Sequence, residues 1–148
     1  MKDNNNLFPH NIWTCGEYNE NLKDYTKINC SSDITNQYSE IGESCMKIKK
    51  QDTGNFYIDA RGTLGVGKTV MFTVNVNTKN AYNGVHKLCI SLFNNEEWTD
   101  QHINIPSDFV GDVSLSMSIP SSTTTVVYRV LSNASGYVLS DDWRLISV

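Results

Sequence analysis

The feature that most constrains this 148-residue chain is an apolar side chain at every second position in several short segments. Residues 113–119 place serines between Val, Leu, Met and Ile, and residues 70–77 alternate apolar with polar side chains in the same way. A period of two puts the apolar side chains on one face of a β-strand. The pattern therefore predicts strands that each have one buried face.

The composition supports strands over helices. Only three Ala stand against 12 Val, 11 Ile and 12 Thr, and β-branched side chains fit a pleated surface better than a helix. Charged residues make up 19% of the chain and the net charge is −4, which gives no electrostatic footprint for DNA or RNA. These properties disfavour a helical enzyme, a coiled coil, a basic nucleic-acid binder and a membrane protein.

Further strand-like segments are separated by turn residues. They are residues 45–49, 56–61, 87–93, 101–105, 125–131 and 137–148, the last bent near Asp141, with a weaker candidate at 23–30. Eight to ten short strands with a turn every 8–12 residues are typical of an antiparallel sandwich or barrel. We expect one domain over residues 1–148, with an irregular segment over 1–40 that wraps the edge of the sandwich.

The N-terminus and the cysteines bear on the compartment. Met1 to Asn6 contain no apolar core of a secretory signal, and no apolar run approaches the ~20 residues that cross a bilayer. We therefore expect a soluble chain that its own N-terminus does not export.

Four cysteines (Cys15, Cys30, Cys45 and Cys89) could form two disulfides in three pairings, but their low density and the lack of a CxxC pair favour free thiols.

Residues 62–69 (GTLGVGKT) match the phosphate-binding pattern GxxxxGK[ST]. In a nucleotide-binding protein this loop opens a helix, whose N-terminal N–H groups and dipole hold phosphate. Here the residues after Thr69 alternate with a period of two and predict a strand. We therefore expect a glycine-rich hairpin turn and no bound nucleotide.

The same stretch resembles a strand of jelly-roll carbohydrate-binding modules of the xylan- and cellulose-binding type. Four pieces carry the resemblance in the right order: residues 42–48 (GESCMKI), 64–74 (LGVGKTVMFTV), 97–109 (EWTDQHINIPSDF) and 137–145 (YVLSDDWRL). The chain is also similar to related β-sandwiches in bacteriophage tail, fibre and decoration proteins. The resemblance implies a galactose-binding-like jelly roll over residues 42–146.

Candidate ligand contacts follow from sugar chemistry, because sugar rings stack on aromatic planes and their hydroxyls bind polar side chains. Tyr57, Asp59 and Arg61 alternate out of an apolar strand face and form a candidate binding strip; the alternative is a cross-strand tyrosine beside a solvated ion pair. Tyr82 and Trp98 are candidate stacking platforms on loops. Trp98 could equally be a packing residue.

A calcium site is the metal prediction. Glu43, Asp141 and Asp142 offer hard oxygen ligands, and the resemblance implies a ligand at the closing Asp pair. The alternative is a solvated acidic turn. The N-terminal segment lacks the acidic ligand that is usual in these modules.

Catalysis is not expected, since His10, His86 and His102 are scattered and neither pair of adjacent acids suits a glycosidase. The first hypothesis is a non-catalytic module that binds a surface glycan and is displayed on a virion or an extracellular surface. The second is a purely structural virion component whose faces contact other virion proteins or copies of itself, because one scaffold can serve either role.

Overall fold

A computed structural model describes residues 6–8, 25–35 and 45–148, and every regular element in these ranges is a β-strand. The eleven strands are β1 (Tyr25–Ile28), β2 (Cys30–Thr35), β3 (Cys45–Lys50), β4 (Phe56–Gly62), β5 (Thr69–Asn77), β6 (Ala81–Tyr82), β7 (His86–Asn94), β8 (Glu97–Ile105), β9 (Val110–Ser118), β10 (Thr125–Ser132) and β11 (Ser135–Ser147). In this part of the chain no helix is long and apolar enough to cross a membrane.

The strands form two antiparallel sheets that pack face to face. The first sheet has the order β1-β4-β10-β7-β8, and the second has the order β2-β3-β11-β5-β9, with β6 paired to β11. This arrangement confirms the predicted all-β sandwich. The eleven strands exceed the predicted eight to ten for two reasons. The two-residue β6 was not predicted, and the weak candidate at 23–30 corresponds to β1 and the first residue of β2.

A corner at Asn29 separates β1 from β2. Its φ of 54° lies in the left-handed region, which Asn tolerates better than most residues. Its side-chain amide donates to the carbonyl oxygens of Asp52, Thr53 and Asn55 at 3.1–3.2 Å. The chain thereby passes from the edge of the first sheet to the edge of the second, and Asn29 fixes the neighbouring loop.

The core lies where the alternating apolar faces meet. Val70, Phe72, Val74 and Val76 are fully buried, whereas Ser114, Ser116 and Ser118 are exposed on the outer face of β9. The predicted single buried face is confirmed in β9, whereas β5 is buried on both faces, because its polar residues Thr73, Asn75 and Asn77 are buried as well.

An aromatic cluster fills one part of the core. Phe72 contacts Tyr128 and Trp143 with ring centroids 5.3 and 5.6 Å apart, and Phe8 contacts all three rings. Trp143 is fully buried. The residues next to Phe8 are tied to β11, because the side-chain oxygen of Asn6 accepts the N–H of Leu145 at 2.9 Å.

The glycine-rich motif connects the sheets. The strand predicted after it is confirmed, since β5 begins at Thr69. The loop is not a hairpin, however, because β4 belongs to the first sheet and β5 to the second. Gly65 is required within it: its φ is +83°, and an added Cβ would lie 2.7 Å from the hydroxyl oxygen of Tyr128, which donates to the carbonyl of Leu64.

Two cysteines have described side chains. Cys89 is a buried free thiol, in agreement with the expectation for that residue. The thiol of buried Cys30 lies 3.4 Å from the carbonyl oxygen of Tyr57. Cys15 and the side chain of Cys45 lie outside what the structure describes, so the expectation for them stays a prediction.

Candidate functional site

A groove runs along β7 on the outer face of the first sheet. It consists of two adjoining concavities, of about 340 and 260 Å³, that share Ser91, Asp100 and Arg129. We call it the β7 groove; its other lining residues are Asn55, Arg61, Val85, Lys87, Cys89, Trp98, His102, Leu131 and Asn133.

Side-chain size explains the groove. Cys89 and Ser91 on β7 are small and form its floor. The strand register places Arg129 of β10 on one side of Cys89 and His102 of β8 on the other. Because side chains of neighbouring strands stand side by side on one face of a sheet, the larger ones form walls along the small ones.

A buried carboxylate organises one wall. Asp59 on β4 has no solvent-exposed surface. Arg129 binds it through Nε at 2.6 Å and Nη2 at 3.1 Å, and Arg61 binds it through Nη2 at 2.8 Å. The guanidinium of Arg129 also lies 4.0 Å from the ring centre of Tyr57. The ion pair considered as the alternative is therefore present, but its acid is buried and bound to a second cation, and only Arg61 is solvated.

The charge states of the wall and floor follow from burial. Burial alone would lower the pKa of Arg129, but its hydrogen bonds to Asp59 and the charge of that carboxylate outweigh this effect, and the pKa is raised. Burial raises the pKa of the Cys89 thiol to about 11. At neutral pH the groove therefore has a charged guanidinium in its wall and an uncharged thiol in its floor.

Trp98 lies at one end of the groove. It is on β8 rather than on a loop, and its ring packs against Phe93 with centroids 5.1 Å apart. The residue is nevertheless 51% exposed. It both packs on a neighbouring strand and leaves aromatic surface open beside Ser91 and Asp100.

Tyr82 lies elsewhere. It is on β6, which pairs with Ser135 and Gly136 of β11, and it does not line the β7 groove. Of the predicted site residues, Arg61 and Trp98 therefore line the groove. Asp59 and Tyr57 do not line it but hold Arg129, which does. Tyr82 lies apart from all of them.

The sequence interpretation missed most of the groove. Lys87, Ser91, Asp100, His102, Arg129 and Asn133 all line it and none was a candidate site residue. The alternation in β7 assigns Lys87 and Ser91 to the same strand face, which was a usable signal. That β8 and β10 flank β7 depends on the order of strands in the sheet, which the sequence does not show.

The other end of the groove is held by hydrogen bonds between loops. The side-chain oxygen of Asn133 accepts the N–H of Val85 at 2.8 Å. Beneath it, His86 is 1% exposed and its Nδ1 lies 2.8 Å from the Ser132 hydroxyl oxygen, which also accepts the N–H of Ala134. Burial lowers the pKa of His86, so this imidazole is neutral at physiological pH.

The predicted acidic pair lies at a β-bulge. The register of β11 against β5 shifts between Asp141 and Arg144, and Asp142 has a φ of 50°. Both acids are buried, so the solvated turn considered as the alternative is wrong.

The described residues of the calcium set do not form a calcium site by themselves. The carboxylate of Asp142 lies 3.0 Å from Nε of Arg144, a cation that competes with a metal. No three His, Cys, Asp or Glu side chains converge as metal ligands within the described ranges. Glu43 lies outside those ranges, so calcium binding stays a prediction.

Comparison with known proteins adds information at the level of the fold. No family model and no curated protein matches the sequence. The C-terminal family 22 carbohydrate-binding module of Clostridium thermocellum Xyn10B is a similar solved structure, with a TM-score of 0.75 at 12% identity over 99% of this chain and 96% of that one.

Two longer proteins contain a similar unit. The N-terminal CBM22-1 and GH10 modules of Clostridium thermocellum xylanase 10B, complexed with xylohexaose, match 84% of this chain with a TM-score of 0.70 at 12% identity. Tailspike protein 4 of bacteriophage CBA120 matches 97% of it with a TM-score of 0.73 at 9% identity. This chain spans 26% and 22% of their lengths. Together with the sheet order, these likenesses establish a jelly-roll β-sandwich of the kind seen in carbohydrate-binding modules.

Proposed function

We propose that the chain is a non-catalytic carbohydrate-binding module and that the β7 groove is its binding surface. The observation that carries this proposal is the combination of a small-residue floor with walls of polar side chains and an exposed tryptophan at one end. Sites for sugars need both an aromatic surface for the ring and convergent polar groups for the hydroxyls.

Each part of the groove has a chemical role in this proposal. Trp98 stacks on the C–H face of a sugar ring. Asp100, His102 and Asn133 hydrogen-bond with hydroxyl groups. Cys89 and Ser91 are small enough to let the sugar chain lie against the sheet. Of the predicted contacts, Arg61 and Trp98 touch the ligand, whereas Tyr57 and Asp59 position Arg129.

The acids of the groove support binding rather than hydrolysis. Glycosidases generally need two carboxyl groups that flank the scissile bond. Asp59 is fully buried and bound by two arginines, which leaves Asp100 as the accessible acid among the described lining residues. We infer that the module acts on a virion or an extracellular surface, where glycans are met.

Filling the groove tests the proposal. Ser91→Phe places a ring on the floor and should abolish retention of the chain by soluble polysaccharides in affinity electrophoresis. Ser116→Phe adds the same ring to the exposed outer face of β9 and should leave retention unchanged. Trp98→Ala, at an exposed position, should weaken binding without unfolding the chain. Equal retention of all four proteins would refute the groove as the binding surface.

A structural virion protein is the second candidate function. The observation that favours it is edge strand β8, in which eight consecutive residues from Glu97 are exposed, including Ile103 at 40%. An exposed edge strand can pair with another chain. A stable oligomer in light scattering, together with no retention by any polysaccharide, would favour this candidate; a monomer that binds polysaccharide would exclude it.

A further inference from the structure

We propose that the β7 groove selects acidic glycans, whose uronic-acid carboxylates are bound by Lys87 and Arg129. This inference rests on the proposed carbohydrate-binding function and adds the class of ligand. It begins with a contrast of charge: the whole chain carries a net charge of −4, whereas the groove gathers three cations on the first sheet.

The cations of the groove outnumber the charge that opposes them. Arg61, Lys87 and Arg129 line it, and Asp100 is the acid of its lining. Asp59 adds one negative charge behind the wall, but it is fully buried and faces the two arginines. A ligand in the groove therefore meets an excess of positive charge.

Lys87 is the cation best placed for a ligand. Its neighbours across the sheet are Leu131 on β10 and Asn104 on β8, so no acid lies directly opposite it on either side. None of the ion pairs found between described residues involves Lys87. Its ammonium group can therefore pair with a ligand carboxylate without losing a partner in the protein.

Arg129 supplies further donors and fixed geometry. It uses Nε and one Nη2 N–H for Asp59, and a guanidinium has five N–H groups in all. The bidentate pair and the ring of Tyr57 hold the side chain in place, so that binding an anion costs little further ordering. The thiol of Cys89, next to both Lys87 and Arg129, is uncharged and therefore does not repel a ligand carboxylate.

The two ends of the groove differ in chemistry. Lys87 and Ser91 are four residues apart on β7, which corresponds to roughly 13 Å along an extended strand. Asp100 lies opposite Ser91, on the side towards Trp98. The acidic sugar is thus expected at the Lys87 end, and an uncharged ring that stacks on Trp98 and hydrogen-bonds to Asp100 is expected at the other end.

The test compares the full chain with two matched variants. Isothermal titration with polygalacturonate and with a neutral, uronate-free arabinoxylan should give tighter binding to polygalacturonate. Lys87→Gln should weaken that binding about tenfold, as expected for loss of a hydrogen bond between charged groups, and should leave arabinoxylan binding unchanged. Lys68→Gln, at an exposed position outside the groove, should change neither. NaCl at about 1 M should weaken only the binding of the acidic polymer.

The outcomes separate this inference from the proposed function. Equal affinity for both polymers, with Lys87→Gln neutral and Ser91→Phe inactive, would overturn acidic selectivity and leave a glycan-binding groove. Equal losses in Lys87→Gln and Lys68→Gln would show general attraction to a polyanion, which also overturns it. Failure of every polysaccharide to bind would overturn both proposals.

Discussion

At the scale of single residues, Asp59 and His86 are buried titratable groups whose electrostatic effects can be measured. Asp59 is a buried acid held by two guanidinium groups, and His86 is a buried base held by a hydroxyl group. Each lies beside the β7 groove, so its hydrogen bonds and ion pairs affect both the stability of the sheet and the shape of the candidate site.

Removal of the Asp59 charge should destabilise the chain strongly. Asp59→Asn leaves Arg129, whose side chain is 19% exposed, without its counter-charge, and a broken buried pair typically costs about 3–5 kcal/mol. Arg61→Gln should cost under about 1 kcal/mol, since that side chain is 41% exposed and solvent screens it. Urea denaturation measures both; equal losses of unfolding free energy would contradict the asymmetry.

His86 should make the chain less stable in mild acid. Its folded pKa is lowered by burial, so below the unfolded value near 6.5 the unfolded state binds a proton that the folded state resists. This contribution to stability is complete above that pH and is lost as the pH falls, by at most about 1.4 kcal/mol per pH unit.

Denaturation midpoints between pH 7.5 and pH 5 should therefore fall for the natural chain and change less in His86→Gln. His102→Gln, which replaces an exposed histidine on β8, provides the matched control variant. A slope that survives in His86→Gln would assign the acid sensitivity to other groups.

At the scale of elements, the turn between β7 and β8 aligns one wall of the groove with its floor. Asn94 pairs with Glu97, which leaves Asn95 and Glu96 as a two-residue loop. Both have positive φ, 52° and 62°, as in a type I′ turn. The tightness of this turn sets the register that places Asp100 beside Ser91 and His102 beside Cys89.

Glu96 is a poor residue for its conformation, and replacing it should stabilise the hairpin. Glycine adopts positive φ without the steric cost of a Cβ atom, which is roughly 1–2 kcal/mol. Glu96→Gly should therefore raise the unfolding free energy by about 1 kcal/mol. Glu97→Gly, one residue later in the strand, should lower it by roughly 0.5–1 kcal/mol. A loss of stability in Glu96→Gly would contradict the assigned turn.

At the scale of the whole molecule, the sequence predicts the layers better than the site. The alternation of Val70, Phe72 and Val74 with polar residues indicates a sandwich because it depends only on neighbours along the chain. The groove depends on Cys89, Arg129 and His102, which lie on three strands that meet only once the sheet order is set. The bulge at Asp142 and the double pairing of Asp59 depend in the same way on partners distant in sequence.

The two outer faces of the sandwich differ in what they offer a ligand. On the second sheet, the hydroxyl groups of Ser114 and Ser118 hydrogen-bond with Thr73 and Thr69, so part of that face is already satisfied internally. On the first sheet, Lys87, Asp100 and His102 line a groove. The proposed binding surface is therefore on the first sheet.

The decisive experiment is a residue-resolved NMR titration of the chain. The ligand is a short oligosaccharide of the polysaccharide that retains the chain most strongly. Binding in the β7 groove predicts amide shift changes at Cys89, Ser91 and Arg129, together with a shift of the Trp98 indole N–H. Shift changes confined to Ser114–Ser118 on β9, or to Tyr82, with the groove residues unmoved, would contradict it.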